Sequence, residues 1–169
     1  MKRRLRLLPL SWLPFAGCLS SAPPLPPVRW FDPSPPAAAA DLPRASADLR
    51  VTAAGHLGRE FVIRTGPREI VFDDRHGWID EPQHLVAAAL RQRIDAGAEP
   101  LAVLVETFEL DLQTGPRAVV RCVVQGSDRR QLVTIAEPAS AADAPAFADA
   151  MARALARLSN EVALLVRGA

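Results

Sequence analysis

The chain has 169 residues, enough for one domain or one domain with an appendage. Its formal net charge is +1 and 49% of its residues are hydrophobic, which excludes a disordered chain and a strongly basic nucleic-acid binder. Tyr is absent and the three Trp are scattered, so there is no aromatic platform for stacking bases.

Lys2, Arg3, Arg4 and Arg6 precede a short apolar run, Leu7 to Gly17, and then Cys18. A basic start, a short apolar stretch and small residues before a cleavage point describe an export signal over residues 1–17. Phe15-Ala16-Gly17-Cys18 resembles a bacterial lipobox. There the small pair Ala16-Gly17 fits the peptidase cleft, and the Cys18 thiol takes up a diacylglycerol and then an N-acyl chain. Leu19, not Asp, follows the cysteine, and by resemblance to sorted lipoproteins this directs the protein to the periplasmic face of the outer membrane. Buried acyl chains contribute about 0.8 kcal/mol per CH₂, so two or three of them anchor a protein firmly. Loss of the basic leader leaves acidic residues in slight excess. Attraction to anionic lipid or nucleic acid is then weak. The second cysteine, Cys122, has no intramolecular partner once Cys18 is acylated, and its Val-rich setting suits a small buried hydrophobe.

Residues 18–46 form a Pro/Ala-rich tether, with most of the chain's 16 prolines in or before it. Proline favours the extended polyproline II form, and at about 3.1 Å per residue some ~25 residues reach on the order of 75 Å. Val28-Arg29-Trp30-Phe31 interrupts the tether. An exposed Trp-Phe pair is a liability in a linker, so residues 28–31 are expected to dock as an edge strand.

The folded domain spans 47–169. Leu49 to Ala53 reads as a short strand. Phe61–Arg64 and Glu69–Phe72 flank Thr65-Gly66-Pro67 and read as a hairpin. Residues 73–84 read as a solvated turn leading into a helix. Pro82 suits the first helical position, and Asp80 and Glu81 suit the positive helix start. Leu85, Val86, Ala89, Leu90 and Ile94 then lie on one helical face, and Asp95-Ala96-Gly97 ends the helix. Strands follow over 101–112, 117–125 and 131–136, joined by Gly115-Pro116 and Gly126-Ser127-Asp128. Asp143 caps a last helix whose apolar stripe runs Phe147, Met151, Ala154, Leu155, Leu158, Val162 and Leu165. The expected class is α+β: an antiparallel sheet with two helices packed on one face, after a signal peptide and tether.

The chemistry-bearing residues are sparse. His76 and His84 share a stretch with Asp73, Asp74, Asp80 and Glu81, but no HxxxH or HExxH spacing occurs and Pro82 breaks any helix carrying both. No nucleophile elbow, P-loop or G-x-G-x-x-G is present. The chain therefore reads as a non-enzyme without metal or cofactor, working through a surface. That surface is expected at the sheet edge and the 73–84 turn, with Trp78, Asp80, Glu81 and Pro82 as partner-binding candidates. Two roles stay open for Trp78: packing beneath the helix start, or exposed docking. A second copy pairing along a strand edge would give a homo-oligomer.

The order of these features resembles a known family. It runs lipobox, Pro-rich tether, Arg29-Trp30-Phe31, then Arg59 to Gly66 with Glu69-Ile70-Val71-Phe72 behind it. Gly77-Trp78-Ile79-Asp80-Glu81-Pro82 leads into the helix with Ala88-Ala89-Leu90; Phe108-Glu109 and an Ala-rich last helix follow. Over roughly 28–166 this resembles the ABC-type transport auxiliary lipoproteins, the PqiC-like subunits of membrane-integrity transporters. The resemblance implies a lipid-anchored subunit of an MCE-type (mammalian-cell-entry) lipid-transport system in the Gram-negative envelope. Its partners would be an MCE-domain periplasmic protein, an inner-membrane permease and an ATPase. The residues alone fit an alternative, an outer-membrane lipoprotein that activates a cell-wall synthase.

Overall fold

The computed structural model describes residues 26–35 and 44–168. The lipidation candidate Cys18 and most of the tether lie outside them. Nine elements follow in order: β1 (Arg29–Phe31), β2 (Ala45–Ala53), β3 (Glu60–Gly66), β4 (Glu69–Trp78), α1 (Pro82–Arg91), β5 (Ile94–Asp111), β6 (Arg117–Gln125), β7 (Arg130–Pro138) and α2 (Ala144–Arg167). The class is α+β, a seven-stranded sheet with two helices. Among the described residues no helix is long and apolar enough to cross a membrane.

The strand order is β1-β4-β3-β5-β6-β7, with β2 also paired to β5. The sheet is mixed. β3–β4, β5–β6 and β6–β7 are antiparallel, whereas β1 on β4, β2 on β5 and β3 on β5 are parallel. The eighteen-residue β5 makes this arrangement work. β6 occupies one of its edges; on the other, β2 lies along residues 94–105 and β3 meets only Leu110 and Asp111. β2 and β3 are thus two pieces of one edge, interrupted at residues 54–59.

Apolar periodicity explains which face each strand buries. Leu101, Val103 and Val105 point into the core at odd positions, then Phe108 and Leu110 at even ones. The change falls at a β-bulge, where Val105 pairs with Cys122 and Thr107 with Arg121, so that Glu106 is the extra residue. β6 contributes Ala118, Val120, Cys122 and Val124, and β7 contributes Val133 and Ile135. α2 lies evenly over β6 and β7, α1 lies over β2 and β5, and the two helices touch. The α2 stripe of Phe147, Met151, Ala154, Leu155, Leu158 and Val162 is buried against this face. Asp143 caps the helix, its Oδ1 accepting from Ala146 N–H at 2.9 Å.

Two boundaries differ from the sequence expectation. Ile94 continues the α1 apolar spacing, yet α1 ends at Arg91 and Ile94 opens β5. Pairing of Ala45–Ala47 with Ile94–Ala96 outweighs one more helical turn. Gly97 permits it, because a Cβ there would lie 2.7 Å from Ala47 N. The second difference is the 73–84 stretch. β4 runs on to Trp78 because β1 pairs with its last three residues, leaving only Ile79–Glu81 as the link to α1.

Candidate docking surface

The interruption between β2 and β3 places Arg59 beside the end of β4. Trp78 N–H donates to Arg59 O at 2.6 Å. The Arg59 guanidinium returns the contact: Nε donates to Trp78 O at 3.2 Å and Nη2 to Ile79 O at 2.7 Å. Its Cζ lies 4.2 Å from the Trp30 ring centroid, a cation–π contact. Trp30 pairs with Gly77 across β1 and β4 and lies over its backbone. A Cβ at Gly77 would stand 2.5 Å from Trp30 Cζ3 and 2.9 Å from Arg59 O. Glycine is therefore required there by close approach, not by backbone conformation. Ile79 N–H donates to Phe31 O at 2.9 Å, which ties the link into α1 to the outer strand.

The four partner-binding candidates separate. Trp78 is 1% exposed and stacks on Phe61 at 4.1 Å, with Phe108 edge-on at 5.3 Å. It is a core residue, the first of the two roles open to it. Its Nε1–H has no partner among the described residues. Pro82 is buried at the first turn of α1. Asp80 and Glu81 are exposed. Asp80 Oδ1 accepts from Glu81 N–H at 2.8 Å and pairs with His84 Nδ1 at 2.9 Å. The His84 hydrogen bond holds the Asp80 carboxyl below the usual carboxylate range, and Asp80 in turn raises His84.

The structure therefore gathers a different set from the one the sequence singled out. Trp30 (52% exposed) and Ile79 (51%) are both held by the Arg59 guanidinium and give an exposed apolar site at β1. Asp80 and Glu81 sit beside it, and Arg59 fixes both Trp30 and Ile79. Trp30 was legible as an unusual aromatic in a linker. Arg59 and Gly77 were not, because their roles depend on the β1–β4 register.

A second polar group lies on the sheet face away from the helices. Arg64 clasps Glu109 through Nε–Oε1 at 2.6 Å and Nη2–Oε2 at 2.8 Å. Glu109, in turn, raises the Arg64 pKa. Arg117 holds Asp111 Oδ2 at 2.6 Å. Burial alone would raise Asp111, but Gln113 N–H and Arg117 outweigh it and keep the carboxyl low. Asp73 shows the same balance: burial opposes ionisation, and bonds to His76 and Arg75 N–H prevail. These pairs are closed ion pairs with their valences used.

The remaining chemistry-bearing residues do not converge. His76 pairs with Asp73 at 2.7 Å and His84 with Asp80, so the two histidines serve separate carboxylates. Among the described residues no group of three His, Cys, Asp or Glu side chains could hold a metal ion. Cys122 is buried, and burial pushes its thiol up to about 12, so it is un-ionised and inert at neutral pH.

No family model matches the chain, and no curated protein matches it. Among solved structures it is similar to protein XCC0632 from Xanthomonas campestris, described under the family model DUF330. The TM-score is 0.66 at 23% identity, covering 82% of this chain and 95% of that one. It is also similar to an uncharacterized protein of known crystal structure, with TM-score 0.64 and 11% identity, covering 83% of this chain and 99% of that one. The chain shares its fold with these two proteins.

Proposed function

We propose that the chain is a lipid-anchored periplasmic auxiliary subunit of an MCE-type ABC transport system. It serves lipid movement across the Gram-negative envelope by binding its transport partners, and performs no chemistry itself. The observation that carries this reading is the exposed Trp30–Ile79 pair held by Arg59, with Asp80 and Glu81 following Ile79 in the chain, at the β1 edge of the sheet. A rigid apolar centre with a charged rim suits a protein partner. Fixation by Arg59 lowers the entropy lost on docking. The lipobox at Phe15–Cys18 and the resemblance over 28–166 supply the compartment and the kind of partner: an MCE-domain protein, with its permease and ATPase beyond. The protein would be held at the outer membrane through acyl chains on Cys18.

Labelled palmitate and detergent challenge test this together. A strain lacking the protein should become detergent-sensitive. Wild-type chain should incorporate palmitate and restore resistance, whereas Cys18→Ala should remain an unprocessed precursor, incorporate none and fail to restore it. Equal labelling of Cys18→Ala and wild type, or undiminished resistance in the deletion strain, would contradict the reading. Sensitivity confined to inhibitors of cell-wall synthesis would favour the synthase-activator alternative.

A further inference from the structure

Exposed apolar side chains gather where β5 finishes: Ile70, Val71 (46% exposed), Phe72 (50%) and Leu112. β3 meets β5 only through Ile63 and Arg64, opposite Leu110 and Asp111 at the end of β5, so the β3–β4 turn stands beyond the sheet. Across the hairpin Ile70 pairs with Arg64, Val71 with Ile63 and Phe72 with Val62. Successive strand residues point to opposite faces, so the hairpin is apolar and exposed on both. β1 covers the outer edge of β4 only along His76–Trp78, and among the described residues no strand covers 70–72 there. Leu112 N–H donates to Arg64 O at 3.0 Å, which sets Leu112 beside the hairpin.

We propose that this end of the domain rests on the phospholipid bilayer, with Val71, Phe72 and Leu112 seated among the headgroups and Arg68 on a lipid phosphate. Chain length and strand direction name that occupant. β1 runs parallel to β4, with Arg29 opposite His76 and Phe31 opposite Trp78, so the chain enters β1 from the side of the β3–β4 turn. Eight residue steps separate Cys18 from Pro26, where the described chain begins. A fully extended chain gains at most about 3.6 Å per step, so Pro26 stays within about 29 Å of the acylated residue. Docking of β1 thus turns a long tether into a short one and brings this end of the domain to the membrane. The proposal rests on the acylation of Cys18.

Charge supplies the second argument. Asp111 pairs with Arg117 and Arg117 with Pro138, so the links after β5 and after β7 lie at the same end as the hairpin turn. Among residues 65–68, 112–116 and 139–142 the only charge is that of Arg68, which is exposed. The β6–β7 link at the other end carries both Asp128 and Arg129. An apolar surface with a cation and no anion in its turns suits an anionic headgroup layer, where buried apolar area and attraction to lipid phosphate add. Seated in this way, β5 runs towards the membrane and the β6–β7 link faces away from it.

The test uses the full chain as the cell processes it, reconstituted alone in vesicles of phosphatidylethanolamine and phosphatidylglycerol. A photoreactive p-benzoylphenylalanine is placed in turn at positions 71, 72, 112 and 132. Leu132 is more exposed than the other three, at 56%, but lies in register with Val123 and so with Leu104. That is about 25 Å back along the sheet from Leu112. Irradiation should give phospholipid adducts at 71, 72 and 112 on the order of tenfold above those at 132. Val71→Asp with Phe72→Asp should remove most of the adduct at 112 and leave the melting temperature in micelles unchanged, because both side chains are exposed. Palmitate incorporation by the same preparation reports the anchor separately. Adducts at 71, 72 and 112 on a chain without palmitate would support the hairpin contact and remove the anchor. Equal adducts at all four positions, or none, would overturn the hairpin contact, and the anchor would still stand if that chain carried palmitate.

Discussion

Gly77 shows how one missing side chain organises the docking surface. Trp30 can lie across β4 only where no Cβ stands, and only there does its ring meet the Arg59 guanidinium. The added methyl of Gly77→Ala must displace either Trp30 or the Arg59 backbone. Overpacking of this kind costs about 1–3 kcal/mol. The ring is the softer obstacle because it is half in solvent. The loss in Gly77→Ala should therefore shrink when Trp30→Ala is present as well, and a thermal double-mutant cycle measures the coupling. Strictly additive losses would place the obstruction at Arg59 O instead. Trp78, one residue further on, belongs wholly to the core through Phe61 and Phe108. Its sequence setting, an indole before a helix start, fits burial and exposure equally. Three-dimensional packing decides between them.

The elements differ in how far the sequence revealed them. α2 was readable almost in full, because its apolar stripe, its Asp143 cap and Pro145 agree with one another. The β5–β6–β7 meander was also legible from its turns and alternation. The parallel contacts were not, since nothing local in Ala45–Ala53 indicates that it pairs with a strand some fifty residues on. Ile94 was ambiguous for a physical reason: an apolar residue four after Leu90 satisfies both a helix face and the start of a buried strand. Of the docking surface, Asp80 and Glu81 could be found from the helix start. Arg59 and Gly77 require the β1–β4 register before they acquire meaning.

Asp111 on β5 contributes acid sensitivity to the fold. Asp111 is held below its usual pKa by Gln113 N–H and Arg117, despite the opposing effect of burial. A carboxyl depressed in the folded state adds stability at pH values above its unfolded pKa. That stability is lost as pH falls through the unfolded value and then the folded one. The melting temperature should accordingly fall between about pH 5 and about pH 3. Asp111→Asn, which cannot ionise, should start lower at neutral pH and fall less steeply across the same window. A variant as steep as the wild type would assign the acid loss to other carboxylates, with Asp73 the next in line.

At the scale of the whole molecule, the sheet divides the domain into a helix-covered side that provides the core and an opposite side closed by the Arg64–Glu109 and Arg117–Asp111 pairs. The two ends of the sheet carry the uncommitted surface: the Trp30–Ile79 cluster at β1 and the open edge at β7. The account assigns partner binding to the first. The most direct test is the affinity of the full chain, in detergent micelles, for the MCE-domain protein of its own transport system. Ile79→Asp places a charge in the centre of the exposed cluster and should weaken binding at least tenfold with an unchanged melting temperature. The variant of all three histidines of the chain, His56→Ala, His76→Ala and His84→Ala, should bind as the wild type does. Undiminished binding by Ile79→Asp, or loss of binding by a folded triple-histidine variant, would contradict the account.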